Sequence, residues 1–222
     1  MDVIEAIRSR KSIRGYKPDP VPKEVLREIL DIATHSPSAI NTQPWEITVV
    51  TGEVLQKMSQ ANTEMSASGA SPKWDFPRQP LEGKHKQRQI EIAIMLWELM
   101  GITREDKDKR SWWDRRGDQY FDAPAAIILS MDKTVGGVRG LLDIGALMQT
   151  ICVTAWSYDL GTCIIGRGVW YPEVVRKFTN IPESAQIIIA ITIGYPDWDF
   201  PANKIESPRE PIDNTVSWFG FD

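Results

Sequence analysis

The chain has 222 residues, 42% of them hydrophobic, and a formal net charge of -4. That length suits one ordinary domain or two small ones with a real core, and the negative balance gives no general case for a nucleic-acid partner. No uninterrupted apolar run approaches the roughly 20 residues that span a bilayer, and the N-terminal residues carry acids where a secretory signal would be apolar; a cytoplasmic protein with no membrane partner is expected.

Two cysteines, Cys152 and Cys163, are too few for a disulfide framework, and their spacing is not that of a metal site. They read as packed thiols. Only His35 and His85 could supply imidazole, so a histidine-based triad or multi-histidine metal site is not expected.

In chain order, residues 2–9 read as a short amphipathic helix with Val3, Ile4 and Ile7 on one face. A basic stretch closed by Gly15 and three prolines follows. Pro22 suits the first turn of a second helix, where its missing N–H costs nothing. That helix carries Val25, Leu26, Ile29, Leu30 and Ala33 and ends before Ser36-Pro37. Residues 36–45 form a loop by composition. Residues 46–51 read as a strand ended by Gly52, and 54–63 as a helix.

Residues 65–80, rich in Ser, Pro and Gly, read as an irregular excursion, and 84–100 as a long helix. The charged run 103–118 reads as a solvated face, although it holds Trp112 and Trp113. Residues 125–131 predict a buried strand, 141–160 a central helix buried on more than one side, and 172–179 a short helix. Residues 185–194, AQIIIAITIG, predict a strand covered on both faces. The interspersed pattern predicts an α+β domain of two or three layers. The last stretch, 195–222, has little helical period and needs something to wrap around; a second subunit is the natural candidate.

Four segments could carry chemistry. Arg10-Lys11-Ser12-Ile13-Arg14 places three cations and a hydroxyl within five residues, which is either a solvated basic turn or an anion site. Residues 36–45, SPSAINTQPW, hold hydroxyls and two amides in a proline-stiffened loop. They could read the edge of a heterocycle, or simply join helix to strand with Trp45 plugging the core. Cys163-Ile164-Ile165-Gly166-Arg167-Gly168 puts glycines just after an apolar strand, where backbone can approach a flat ligand. No GxGxxG or Walker pattern stands behind it. Finally, Gly194-Tyr195-Pro196 is followed downstream by Arg209-Glu210-Pro211.

Taken together, Arg10 through Arg14, Pro20-Val21-Pro22, Pro37 through Trp45, and the Ile-Gly-Tyr-Pro ending of the last strand followed by a lone arginine resemble the nitroreductase superfamily, in order and spacing. Within it, the charged insert, Phe121-Asp122-Ala123-Pro124, Leu160-Gly161-Thr162-Cys163 and Arg209-Glu210-Pro211-Ile212-Asp213 resemble the nitrobenzoate-reductase-like branch. Ile165-Gly166-Arg167 departs from the pattern common elsewhere in the superfamily.

The resemblance implies a three-layer fold with a mixed central sheet flanked by helices, and an intertwined homodimer with C-terminal tail exchange. It implies one FMN-binding domain over residues 1–222, with a helical insert at about 65–120 covering the active site. Arg10, Lys11, Ser12 and Arg209 would hold the FMN phosphate and ribityl end, and Arg14 the N1/O2 edge. Pro37, Ser38, Asn41 and Gln43 would touch the ring from the partner subunit, and the backbone around Ile165 and Gly166 would face N5. The implied activity is ping-pong electron transfer from NADH or NADPH to small nitroaromatic or quinone-like acceptors, with no dedicated catalytic side chain and no metal. Other FMN reactions on the same scaffold, or a flavin-binding sensor, are the alternatives. The aromatics Trp74, Phe76, Trp97, Trp112 and Trp113 are either a pocket wall or anchors of the insert.

Overall fold

The computed structural model describes residues 2–76, 79–135 and 137–221. Helix α1, Val3–Ser9, is capped by the Asp2 carboxylate, which accepts from the Glu5 N–H at 2.9 Å. Its apolar stripe faces outward: Val3 is 65% exposed and only Ala6 is buried. Helix α2, Lys23–Ala33, starts one residue after Pro22, which stands at the N-cap, and buries Leu26, Ile29 and Ala33. Strand β1, Trp45–Thr51, passes into helix α3, Gly52–Ala67, without a loop, because Gly52 adopts a φ of 53° that reverses the chain within one residue.

Helix α4 spans Gly83–Leu99 and helix α5 spans Lys107–Asp118. Helix α5 falls within the helical insert that the resemblance implies, although its charges mask any amphipathic period of its own. Most of it is solvated, as a charged run should be, but Arg116, Gly117 and Asp118 are buried. Strand β2, Ala125–Asp132, is followed by helix α6, Val138–Ser157, strand β3, Gly161–Ile165, helix α7, Pro172–Thr179, and strand β4, Ala185–Gly194. By length and composition α6 could cross a membrane, yet eight of its residues, including Ile144, Leu147 and Ile151, are buried inside the protein.

The strands form one sheet in the order β1-β2-β4-β3. All three pairings are antiparallel, and the parallel component is an isolated bridge between Ser12 and Thr162. The period of two along β2 separates two cores. Ala125, Ile127, Leu129 and Met131 meet Leu26, Ile29, Leu147 and Ile151 of α2 and α6. Ala126 and Ile128 face the other way, with Leu55, Met58 and Val175 of α3 and α7. Helices therefore cover both faces, and the α+β, three-layer expectation holds. Strand β4 lies between β2 and β3, as its unbroken apolar run predicts.

The tail turns through two short 3-10 segments, Pro201–Lys204 and Ile212–Asn214. The first packs Ala202 and Ile205 against Leu96 of α4. Beyond it, residues 206–221 are exposed apart from a half-buried Val216.

One close approach fixes how the N-terminal segment meets β3. A Cβ on Gly161 would lie 2.4 Å from Cγ1 of Ile13, whose side chain is fully buried. Gly161→Ala is therefore expected to destabilise the protein by about 1–3 kcal/mol through overpacking. Urea denaturation reads this directly, and an unchanged midpoint would show that Ile13 yields freely.

Candidate functional site

The segment after α1 runs along the outer edge of β3. Ser12 bridges Thr162, and the Ile13 N–H donates to the Thr162 carbonyl at 2.9 Å. Ile13 points into the protein, and its neighbours Ser12 and Arg14 are half-buried, as are Arg10 and Lys11. Tyr16 anchors the far end: its hydroxyl meets the Ile13 carbonyl at 2.9 Å and the Thr192 hydroxyl at 2.7 Å, and burial pushes its pKa well above the ordinary value. Among the described residues, no carboxylate pairs with Arg10, Lys11 or Arg14. Half-buried cations are normally paired or solvated. Three cations in five residues without a carboxylate partner form a candidate anion site, and a phosphate with its neighbouring hydroxyls fits this donor set.

Two side chains that the motifs did not reveal hold this segment in shape. The fully buried Asn203 accepts from the N–H groups of Arg14 at 2.7 Å and Gly15 at 3.2 Å. Its amide donates to the carbonyls of Gly15 and Asp197, both at 2.7 Å. From α5, Arg116 donates to the Arg14 carbonyl at 2.9 Å and to Asp122 at 2.6 Å, with Phe200 stacked 4.8 Å below it. Arg116 also ties down a left-handed turn, where Tyr120, Phe121 and Asp122 have φ of 52°, 55° and 56°. Three successive non-glycine residues in that region are strained. The surroundings over-determine the turn, since the Tyr120 hydroxyl also donates to the Gly168 carbonyl at 2.5 Å.

Ile165 ends β3 three residues beyond the Thr162 bridge, and Arg167 opens a 3-10 turn after Gly166. The Arg167 guanidinium makes a two-pronged bond to the buried Asp118, at 2.9 and 3.1 Å, and lies 4.3 Å over the Trp170 ring. The insert is thus docked on both flanks of the cluster, through Arg116 on one side and Asp118 on the other. Its aromatics serve as anchors: Trp74 meets Trp170 edge-on at 5.9 Å, Trp113 meets Phe121 at 6.4 Å, and Trp97 lies under Arg110 at 5.2 Å. Cys152 and Cys163 are buried free thiols. Burial pushes Cys152 up to about 11 and raises Cys163 as well.

The loop of Pro37, Ser38, Asn41 and Gln43 stands elsewhere. It is seated along α6, where Ser36 donates to Thr150 at 2.7 Å and the Ala39 N–H reaches the Asp143 carboxylate at 3.2 Å. The Ser38 hydroxyl accepts from the Gln43 N–H at 3.0 Å, and Ile40, Asn41 and Gln43 adopt φ of 56°, 57° and 45°. Ser9, the residue before the basic cluster, accepts from Trp156 near the end of α6 at 2.8 Å. From Asp143 to Trp156 the helix rises about 20 Å.

A sequence model of the nitroreductase family matches residues 7–195. The chain belongs to the nitroreductase family. Among its relatives, a 4-nitrobenzoate reductase of Pseudomonas putida is 29% identical, covering 100% of this chain and 97% of that protein. A chloronitrobenzene nitroreductase of Comamonas testosteroni is 28% identical over 96% and 95%. Among solved structures, the FMN- and NADPH-dependent nitroreductase NfnB from sphigopyxis sp. strain HMH superposes with a TM-score of 0.92 at 27% identity, covering 100% of both chains.

Arg209 stands apart within this family member. It is exposed, and its guanidinium donates to the carbonyls of Ser207 and Pro208 at 2.8 and 3.1 Å, beside an ion pair of Arg88 with Glu210. No contact joins it to Arg10–Arg14 among the described residues. Asn203 and Arg116 escaped the sequence reading for a simple reason: one sits in an aperiodic tail, the other in a charged run, and neither has a motif around it.

Asn203→Ala is expected to cost on the order of 3 kcal/mol, because it strands buried backbone groups of the segment carrying Arg14; chemical denaturation measures the loss. A thiol reagent at pH 8 is expected to leave native Cys152 unmodified, since a raised pKa keeps the thiol protonated. Rapid labelling of the folded protein would contradict that placement.

Proposed function

We propose that this nitroreductase family member is an FMN-dependent reductase, working as a cytoplasmic homodimer, that passes electrons from NADH or NADPH to small nitroaromatic or quinone-like acceptors. The observation that carries the reading is the set of half-buried, unpaired cations Arg10, Lys11 and Arg14 packed against the end of β3. Relatives named as FMN- and NADPH-dependent nitroreductases support the cofactor and the donor.

On this reading Arg10, Lys11 and Ser12 hold the phosphate and ribityl end, and Arg209 closes over the phosphate from the tail. Bound FMN supplies a ring that accepts hydride from the nicotinamide and returns electrons to a second substrate in a separate half-reaction. Arg14 places a fixed positive charge at the N1/O2 edge, which favours the reduced, more negative ring. The backbone at Ile165 and Gly166 faces N5. The braces from Asn203 and Arg116 keep Arg14 in register. Positioning and exclusion of water are the protein's tasks, so no general acid is assigned.

On this reading the loop with Pro37, Ser38, Asn41 and Gln43 meets the ring from a second chain. Exposed apolar groups offer the surface for it: Ile4 and Ile7 on α1, Leu142 (69% exposed) on α6, Ile40 (89%) and the tail residues Trp218 and Phe219. Segment 65–120 then covers one side of the site within a single FMN-binding domain. Cys152 and Cys163, left as free thiols, suit a reducing compartment.

The first test is an absorption spectrum of the purified protein, then anaerobic addition of NADH or NADPH, and then of a nitroaromatic. A bound flavin that bleaches and recovers is expected, with parallel double-reciprocal plots; protein that takes up no FMN overturns the reading. Arg14→Gln is expected to lower the flavin potential by on the order of 30 mV, tenfold in a two-electron equilibrium. Spectroelectrochemistry showing an unchanged potential removes Arg14 from the ring. A flavin-loaded monomer by light scattering would sink the dimer.

A further inference from the structure

Between the C-terminal half of α3 and the outer face of α5 lies a groove of about 550 Å³, lined by Thr63, Ser66, Lys107, Arg110, Arg115 and Arg167, among others. Four cations line it, and Asp114 is its one carboxylate. Asp114 leans toward Arg167 at 3.9 Å, and Arg167 itself is held by the buried Asp118. The other three cations have no carboxylate partner among the described residues. The Arg110 guanidinium is steadied by the Arg104 carbonyl at 2.8 Å and the Trp97 ring, and that of Arg115 donates to Ser111 at 2.7 Å. Two of the three are thus pre-oriented without being neutralised.

The groove is joined to the candidate site. Arg167 lines it and directly follows Gly166, the backbone assigned to the ring's N5 side. Of the unpaired cations, Arg115 lies within one turn of Asp118, and Lys107 and Arg110 lie farther out along α5. Arg110 is eight residues from Asp118, the partner of Arg167, which on a helix is about 12 Å. A single benzene ring is too short to react at Gly166 and place its own carboxylate there. A dinucleotide is long enough to put its nicotinamide at the ring and a remote phosphate at Lys107, Arg110 and Arg115. A phosphate monoester carries nearly two charges and three acceptor oxygens, which suits three cations and flanking hydroxyls.

We propose that this groove binds the ribose 2′-phosphate of NADPH and so selects NADPH over NADH. The proposal rests on the reductase reading above and names the donor that reading leaves open. Arg110 and Arg115 act as specificity residues; neither contacts the reacting atoms.

The test follows the reductive half-reaction anaerobically by flavin bleaching, with no acceptor present, for the wild-type protein and for Arg110→Ala/Arg115→Ala. The wild type is expected to bind NADPH at least tenfold more tightly than NADH. The double variant is expected to lose that preference through weaker NADPH binding alone, with NADH affinity and flavin content unchanged. Calorimetry keeps the proposal falsifiable if the variant folds poorly: wild-type protein is expected to bind adenosine 2′,5′-bisphosphate at least tenfold more tightly than AMP. Equal binding of those two nucleotides overturns the proposal. So does a wild type indifferent between NADH and NADPH, or a variant in which both donors weaken together. A variant that loses affinity for 4-nitrobenzoate but not for NADPH assigns the groove to the acceptor and equally overturns it. Protein that holds no flavin, or whose flavin neither nicotinamide reduces, overturns the reductase reading itself, an outcome recognisable before any variant is made.

Discussion

Asn203 closes the chain on itself. Its buried amide uses both faces at once, accepting from Arg14 and Gly15 and donating to Gly15 and Asp197. A polar group with no access to water has to find partners inside the protein, and here those partners are the backbone of the basic segment and of the tail. Ile13 then packs against Gly161, Ser12 lines up with Thr162, and Arg10, Lys11 and Arg14 are presented together at the end of β3.

The insert works toward the same end from the opposite direction. Helix α5 is almost all charge, yet its last turn is the most constrained part of it. Arg116 grips the Arg14 carbonyl, and Asp118 grips Arg167. The strained turn at Tyr120, Phe121 and Asp122 follows directly and is held by contacts to both sides. Strain of this kind persists only where neighbouring interactions fix the backbone more firmly than the strain loosens it. Farther out on α5, Lys109 pairs with Asp106, while Lys107, Arg110 and Arg115 have no carboxylate partner among the described residues.

Helix α6 carries both neighbourhoods: the loop reaches it at Asp143 and Thr150, and Ser9, just before the basic segment, meets it at Trp156. On the proposed reading the loop meets the ligand from a second chain. The outward apolar face of α1 and the aromatic tail are consistent with such a second chain, since neither finds cover within one chain.

The sequence by itself determined the layers. Period two in β2, the unbroken apolar run of β4 and the helical stripe of α2 are local patterns, and burial follows from them directly. It also marked Arg10 through Arg14, the Pro37–Gln43 loop and Ile165-Gly166, because short motifs keep their residues adjacent in the chain. Tertiary structure alone decided the strand order and the bracing by Asn203 and Arg116. Those depend on contacts between residues about 100 or more positions apart, such as Arg116 with Arg14 and Asn203 with Gly15. Such contacts leave no periodic trace, because a buried arginine or asparagine is chosen by the groups it meets and not by its neighbours in sequence.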